Sequence, residues 1–264
     1  MIAAVSLLGL ARPSAAEPFT LNPQALGLNG ASVTESALVL SDYAQISFSN
    51  NGTTFVDTGI LPILGFTLNG APVTAPGYAA SDGTGWGAYA QYVGTGTESY
   101  TAAGAPSAAT FSTLSYKIIV YDGLATFGFA PDGSAVVGGQ VADAVVVASG
   151  SLISGQLAFI PGPTGLTING TAATTIDTAT PGFFQGMPSQ FDVTFIHPPA
   201  EYFFTSQTTL EINGGSSSTA VLAGTAVPEP ASLPLLGLPL AGLALMARTR
   251  RRGGLTGKAG SNRA

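Results

Sequence analysis

Two short elements carry residue types suited to acid–base chemistry. FVDTGI (residues 55–60) and TIDTAT (residues 175–180) each set an aspartate between an apolar residue and a threonine, giving Asp57 and Asp177 matching local settings. Two carboxyls brought side by side cannot both ionise, so one keeps a proton while the other can activate water. Two details weaken the pattern. Ala179 stands where a tight loop wants glycine, and Ile60 follows the first glycine where a small residue is wanted. Asp-Thr pairs are also common at strand ends of threonine-rich β proteins.

The paired elements resemble those of aspartic peptidases, which implies Asp57 and Asp177 as a proton-sharing dyad, although the chain is short for a bilobal enzyme. Other chemistry is thin. His197 in FIHPPAEYFF is the single histidine, so no multi-histidine metal site exists. No G-x-S-x-G elbow offers it a serine partner. Stopped by Pro198 and Pro199, it reads as a half-buried structural residue at a strand end. In GTGWGAYAQY, Trp86 and Tyr92 share one face of an extended strand and Tyr89 takes the other, so Trp86 and Tyr92 are candidates for stacking on sugar rings. The competing fate of a lone tryptophan is core packing. GTGWG and GTGTES are loops without a following lysine or helix, which excludes phosphate and dinucleotide fingerprints. No D-x-[DN]-x-[DN]-G pattern occurs, so no metal ligands are assigned and no cofactor is expected, with calcium left open because acids are plentiful. There is no cysteine, which removes disulfides, thiolate nucleophiles and sulfur-bound metals.

The elements that must position these residues are strands. ALVLSDYAQISFS, TLSYKIIVYDG and FDVTFIHP alternate, and Val, Ile, Thr, Phe and Tyr dominate the apolar positions. Asn-Gly follows an apolar residue at Asn29, Asn69, Asn169 and Asn213, and Asp-Gly occurs at Asp82, Asp122 and Asp132; both pairs tolerate the positive φ of tight hairpins. The predicted fold is all-β, a single β-sandwich or jelly-roll-like domain followed by a short C-terminal hydrophobic helix. Segments rich in Ala, Gly, Ser and Thr near residues 94–110 and 214–225 read as loops or linkers.

Both ends differ from this body. Residues 1–16 read as a secretory signal, with an apolar stretch at 2–10 and small residues up to Ala16 at the cleavage point. The usual basic start is missing, as it would be if the start were assigned too far downstream. The body then covers residues 17–213 and a flexible linker covers 214–227. Between Glu17 and Glu211 lie 13 acids against one basic residue, Lys117, a net charge near −12. Such a body repels nucleic acid and anionic lipid. Residues 233–247 are uncharged, and as a helix they span ~22 Å, less than the ~30 Å apolar core of a bilayer. Arg248, Arg250, Arg251 and Arg252 follow as a basic stop that would stay cytoplasmic, with 253–264 as a cytoplasmic tail. A transient hold in the inner membrane fits better than a permanent transmembrane anchor.

Pro228-Glu229-Pro230, the short apolar segment and the arginine cluster stand in the order of a PEP-CTERM sorting signal (residues 228–252), which this tail resembles. That resemblance implies transient recognition by a membrane-embedded exosortase in a Gram-negative bacterium, removal of the tail, and delivery of the body to the cell surface or extracellular matrix. EPFTLNPQALG, SDYAQISFSNNGTTF, GWGAYAQYVGTGT and PAEYFFTSQTTLEI resemble the flocculation-associated members of that group. What this implies is a non-enzymatic protein supporting flocs or biofilm with exopolysaccharide, through weak multivalent contact with polysaccharide, cations or copies of itself. A carbohydrate-binding module of the matrix is the alternative expectation.

Overall fold

Alternation along the sequence becomes alternation across a wall. In the computed structural model, residues 18–49, 52–78, 85–100, 106–163, 165–186, 188–215 and 218–224 are described, all within the unit Met1–Thr225. The expected signal with Ala16, the sorting motif Pro228, Glu229 and Pro230, the helix at 233–247 and the arginines from Arg248 to Arg252 lie outside the described residues. Among the described residues no helix is long and apolar enough to cross a membrane.

The strands in chain order are β1 (Phe19–Leu21), β2 (Val33–Glu35), β3 (Ala37–Leu40), β4 (Tyr43–Ser49), β5 (Thr54–Leu68), β6 (Ala71–Val73), β7 (Trp86–Tyr100), β8 (Pro106–Phe129), β9 (Ala135–Gly162), β10 (Gly165–Thr175), β11 (Thr178–Ala179), β12 (Phe184–Gln185), β13 (Pro188–His197), β14 (Tyr202–Ser206), β15 (Thr209–Asn213) and β16 (Ser218–Gly224). The all-β expectation holds; the sandwich does not. Eight strands run in the order β5-β3-β16-β13-β10-β9-β8-β7, and β7 pairs back onto β5 from Thr54↔Thr97 to Pro62↔Tyr89, closing an antiparallel barrel. A sandwich and a barrel present the same inside-outside alternation, so only this long-range pairing separates them. It leaves no local trace in the sequence.

The interior is filled. Phe55, Leu61 and Ile63 of β5, Trp86, Ala88 and Ala90 of β7, Tyr116, Ile118 and Val120 of β8, and Phe191, Val193 and Phe195 of β13 meet in one core. The small sheet β12-β1-β2 adds Phe19, Leu21, Val33 and Phe184 to it.

Parts of two stretches expected as loops are wall instead. Residues 94–100 belong to β7 and 106–110 to β8, because glycines there make room for rings: a Cβ on Gly96 would collide with Phe55. The expected linker contains β16, which closes the ring between β3 and β13 and turns Ala220 and Leu222 inward. In these strands the small inward residues, Gly94, Gly96 and Ala220, mark a crowded interior rather than a flexible chain. The turn pairs divide similarly. Asn69-Gly70 takes positive φ at both residues, 53° and 81°, and turns β5 into β6. Asn169-Gly170 lies inside β10, where a Cβ on Gly170 would strike Leu157.

β8 and β9 outrun the barrel. Past a register shift between Val120 and Asp122, their far halves form an arm from Asp122↔Ala142 to Phe129↔Ala135. Gly123, at φ 100°, sits beside that shift, and a Cβ there would meet the Gln140 carbonyl. The arm lies on the outer face of the wall. Its Ala125, Phe127, Ala135, Val137 and Val141 form a second apolar cluster with Ile60, Tyr89, Ile119 and Tyr121. Tyr43 packs on Phe127 and Phe129 at 6.3 and 6.0 Å, and the Gln45 amide donates to the Asp132 carbonyl at 3.1 Å.

Candidate functional site

Chemistry-bearing residues gather in two places, one inside the wall and one on it. The inner one follows from an interruption. β3 and β4 are consecutive strands along one side of β5, broken at Ser41-Asp42, while β15 and β16 beside them break at Gly214. β13 stops at His197, where two prolines bar further ladder bonds. The Gly214 N–H donates to the Asp42 carbonyl at 2.7 Å, tying the breaks together. At this seam, His197 Nε2 lies 3.2 Å from Asp42 Oδ2, and His197 Nδ1 faces Glu201 Oε2 at 3.5 Å without hydrogen-bond alignment. The Tyr92 hydroxyl, across from them, reaches Asp57 Oδ1 at 3.2 Å and Asp42 Oδ1 at 3.5 Å.

All four of Asp42, Asp57, Tyr92 and His197 are buried. Burial, with Asp42 adding like charge, pushes the Asp57 carboxyl up to about 8, against smaller opposing effects of Tyr92 and His197. Burial works against a charged His197, but Asp42 and Glu201 outweigh it and raise its pKa above the ordinary value. The Tyr92 hydroxyl is pushed well above its ordinary range by burial and by both aspartates. Asp57, Tyr92 and His197 therefore hold their protons more tightly than usual behind a packed wall. The Tyr92–Asp57 and Tyr92–Asp42 contacts pair buried polar groups at the seam where the strand ladders are interrupted.

The outer place is a groove of about 700 Å³ bordered by the arm and by β5, β7, β8 and β9, within the size range of ligand sites. Strand register fixes its lining. Ile60↔Gln91, Gln91↔Lys117, Lys117↔Ser149 and Ser149↔Thr178 are successive cross-strand neighbours, forming one row. Thr58↔Val93, Val93↔Ser115 and Ser115↔Ser151 form the next. Beyond them Thr95 and Thr113 join hydroxyls at 2.7 Å. Asp177 accepts from Thr175 Oγ1 at 2.7 Å and Ser151 Oγ at 3.1 Å, which orients its carboxyl beside the groove. Lys117 forms no ion pair among the described residues.

Several sequence expectations change here. Trp86 and Tyr92 do share a face, but it is the inner one. Trp86 is fully buried against Phe66, Tyr78 and Phe183, and Tyr92 belongs to the seam, so neither ring is open for sugar stacking. Asp57 points into the barrel while Asp177 lines the outer groove; no dyad joins them. The neighbour of Asp57 is Asp42, which lies inside ALVLSDYAQISFS, read from the sequence as one alternating stretch, so nothing there set it apart. His197 is fully rather than half buried. Among the described residues no group of three or more His, Asp or Glu side chains forms a metal-holding cluster. Searches against known protein families, curated proteins and solved structures find no match to this chain.

Proposed function

We propose that this is an exported, non-enzymatic protein of the bacterial surface or matrix that supports flocculation or biofilm cohesion by holding exopolysaccharide on the outer wall of its barrel. The observation that carries this reading is the arm-sheltered groove and the hydroxyl rows leading from it, Thr58, Ser115, Ser149, Ser151 and Thr178, with Gln91 among them. Such a surface exchanges hydrogen bonds with sugar hydroxyls along an extended chain, and each contact is weak. The tail resembling a PEP-CTERM signal accounts for delivery: recognition by exosortase at Pro228, Glu229 and Pro230, then loss of the segment that holds the precursor in the inner membrane.

The test uses the secreted protein from its own cells. Wild type is expected to be retarded in a gel containing the cells' exopolysaccharide. Ser115→Tyr, at an exposed position on the groove floor, should fold normally and lose about tenfold in apparent affinity, the order of a few lost hydrogen bonds. Equal retardation of the two would remove the groove from the proposal. Normal flocs in a deletion strain would remove the function.

A further inference from the structure

We infer that the groove selects an acidic sugar of the polysaccharide, taking its anionic group on Lys117. This deepens the proposal above and rests on it. Lys117 is the one Lys or Arg residue among the 13 acids of the body, and among the described residues it is neither an edge guard nor half of an ion pair. Lysine is one of the devices that guard an exposed edge strand. β8 is central, paired with β7 on one side and β9 on the other, and Lys117 sits in mid-strand between Gln91 and Ser149. Two residues along the same face, Ile119 is buried beneath the arm, so Lys117 stands at the sheltered end of the groove. A cation placed there in a strongly acidic body creates a local reversal of sign.

The surrounding charge does not forbid an anionic ligand. At ~0.15 M salt the screening length is about 8 Å, so distant acids contribute little. Asp57, behind the wall, holds its proton up to about pH 8. Asp177 is the one carboxyl in the lining, and its oxygens are already turned to accept hydroxyl hydrogens. One sugar ring can thus set its anionic group on the ammonium and a hydroxyl on Asp177, with Gln91 and Ser149 flanking. Lysine acts as a point charge without the planar fork of arginine, so a carboxylate and a sulfate ester are chemically equivalent ligands for it.

The experiment measures retardation of the secreted protein on three gels. They contain the producing cells' exopolysaccharide untreated, after carbodiimide–borohydride reduction of its carboxyls to alcohols, and after desulfation. Lys117→Gln is compared with wild type on each. The expected result is a loss of about tenfold for wild type on one treated polymer, and the same loss for Lys117→Gln on the untreated one, with no further loss on treatment. Loss on the reduced polymer identifies a carboxylate, and loss on the desulfated polymer a sulfate. Equal wild-type retardation on all three gels, with Lys117→Gln unaffected, overturns acidic selection and leaves polysaccharide binding intact. No retardation on any gel overturns both. Thermal unfolding of Lys117→Gln should match wild type, since the exposed side chain makes no ion pair among the described residues.

Discussion

Trp86→Ala should unfold the barrel or leave it barely folded. The indole is fully buried, with ring centroids 4.7 Å from Tyr78, 6.0 Å from Phe66 and 6.4 Å from Phe183, so truncation leaves a cavity with rigid walls. Large-to-small changes of this kind cost about 3–5 kcal/mol, against a typical total of ~5–15 kcal/mol. The measurement is the denaturation midpoint from far-ultraviolet circular dichroism, with Trp86→Phe as the milder comparison at ~1–2 kcal/mol. As the only tryptophan, Trp86 also reports on unfolding of the wild type by its own fluorescence. A Trp86→Ala protein with unchanged midpoint would falsify the packing described. Weaker binding to polysaccharide by a fully stable variant would return the indole to the surface.

The same residue shows what the sequence could and could not disclose. Alternation placed Trp86 and Tyr92 on one face and Tyr89 on the other, correctly, because side-chain direction in a strand is local. Which face is inside is decided by closure, and closure joins Thr54–Pro62 to Tyr89–Thr97, a pairing that no turn signal announces. The groove was hidden for a related reason. Its Gln91, Lys117 and Ser149 come from three different strands and Asp177 from the link between β10 and β11, and they become neighbours only through register. Charge counting isolated Lys117 as the lone basic residue of the body but gave it no surroundings. The matching element at Asp177 suggests the wrong partner for Asp57, whose neighbour Asp42 lies in the gap between β3 and β4, inside a stretch that reads as one continuous strand. Composition misled at β16, whose small residues resemble a spacer but fill an inner layer.

Stability should fall as pH rises from about 4 to 9, the reverse of a protein held by ionised carboxylates. Glu35, fully buried on β2 with neither carboxyl oxygen hydrogen-bonded, is pushed up to about 9 by burial, and Asp57 to about 8 by burial and by Asp42. Unfolding returns them to their ordinary values of 4.5 and 3.8. Between the ordinary and the raised pKa the unfolded chain releases a proton that the folded chain keeps, so each group lowers stability by up to about 1.4 kcal/mol per pH unit. The contribution is fully present below about pH 4 and lost as pH climbs through the raised values. His197 acts with the same sign, because its raised pKa gives stability below 6.5 that disappears as the ring loses its charge beside Asp42 and Glu201. We expect at least ~2 kcal/mol less stability at pH 8 than at pH 5, read from urea midpoints at constant ionic strength. Glu35→Gln and Asp57→Asn keep the shape of the protonated acids and cannot ionise. Each should match wild type near pH 4, exceed it near pH 8, and flatten the slope, with the shares of both groups adding if they titrate independently. Midpoints that rise between pH 5 and 8, or amide variants weaker than wild type at pH 8, would mean that these carboxyls are ionised in the fold and that cations or water reach them through the wall.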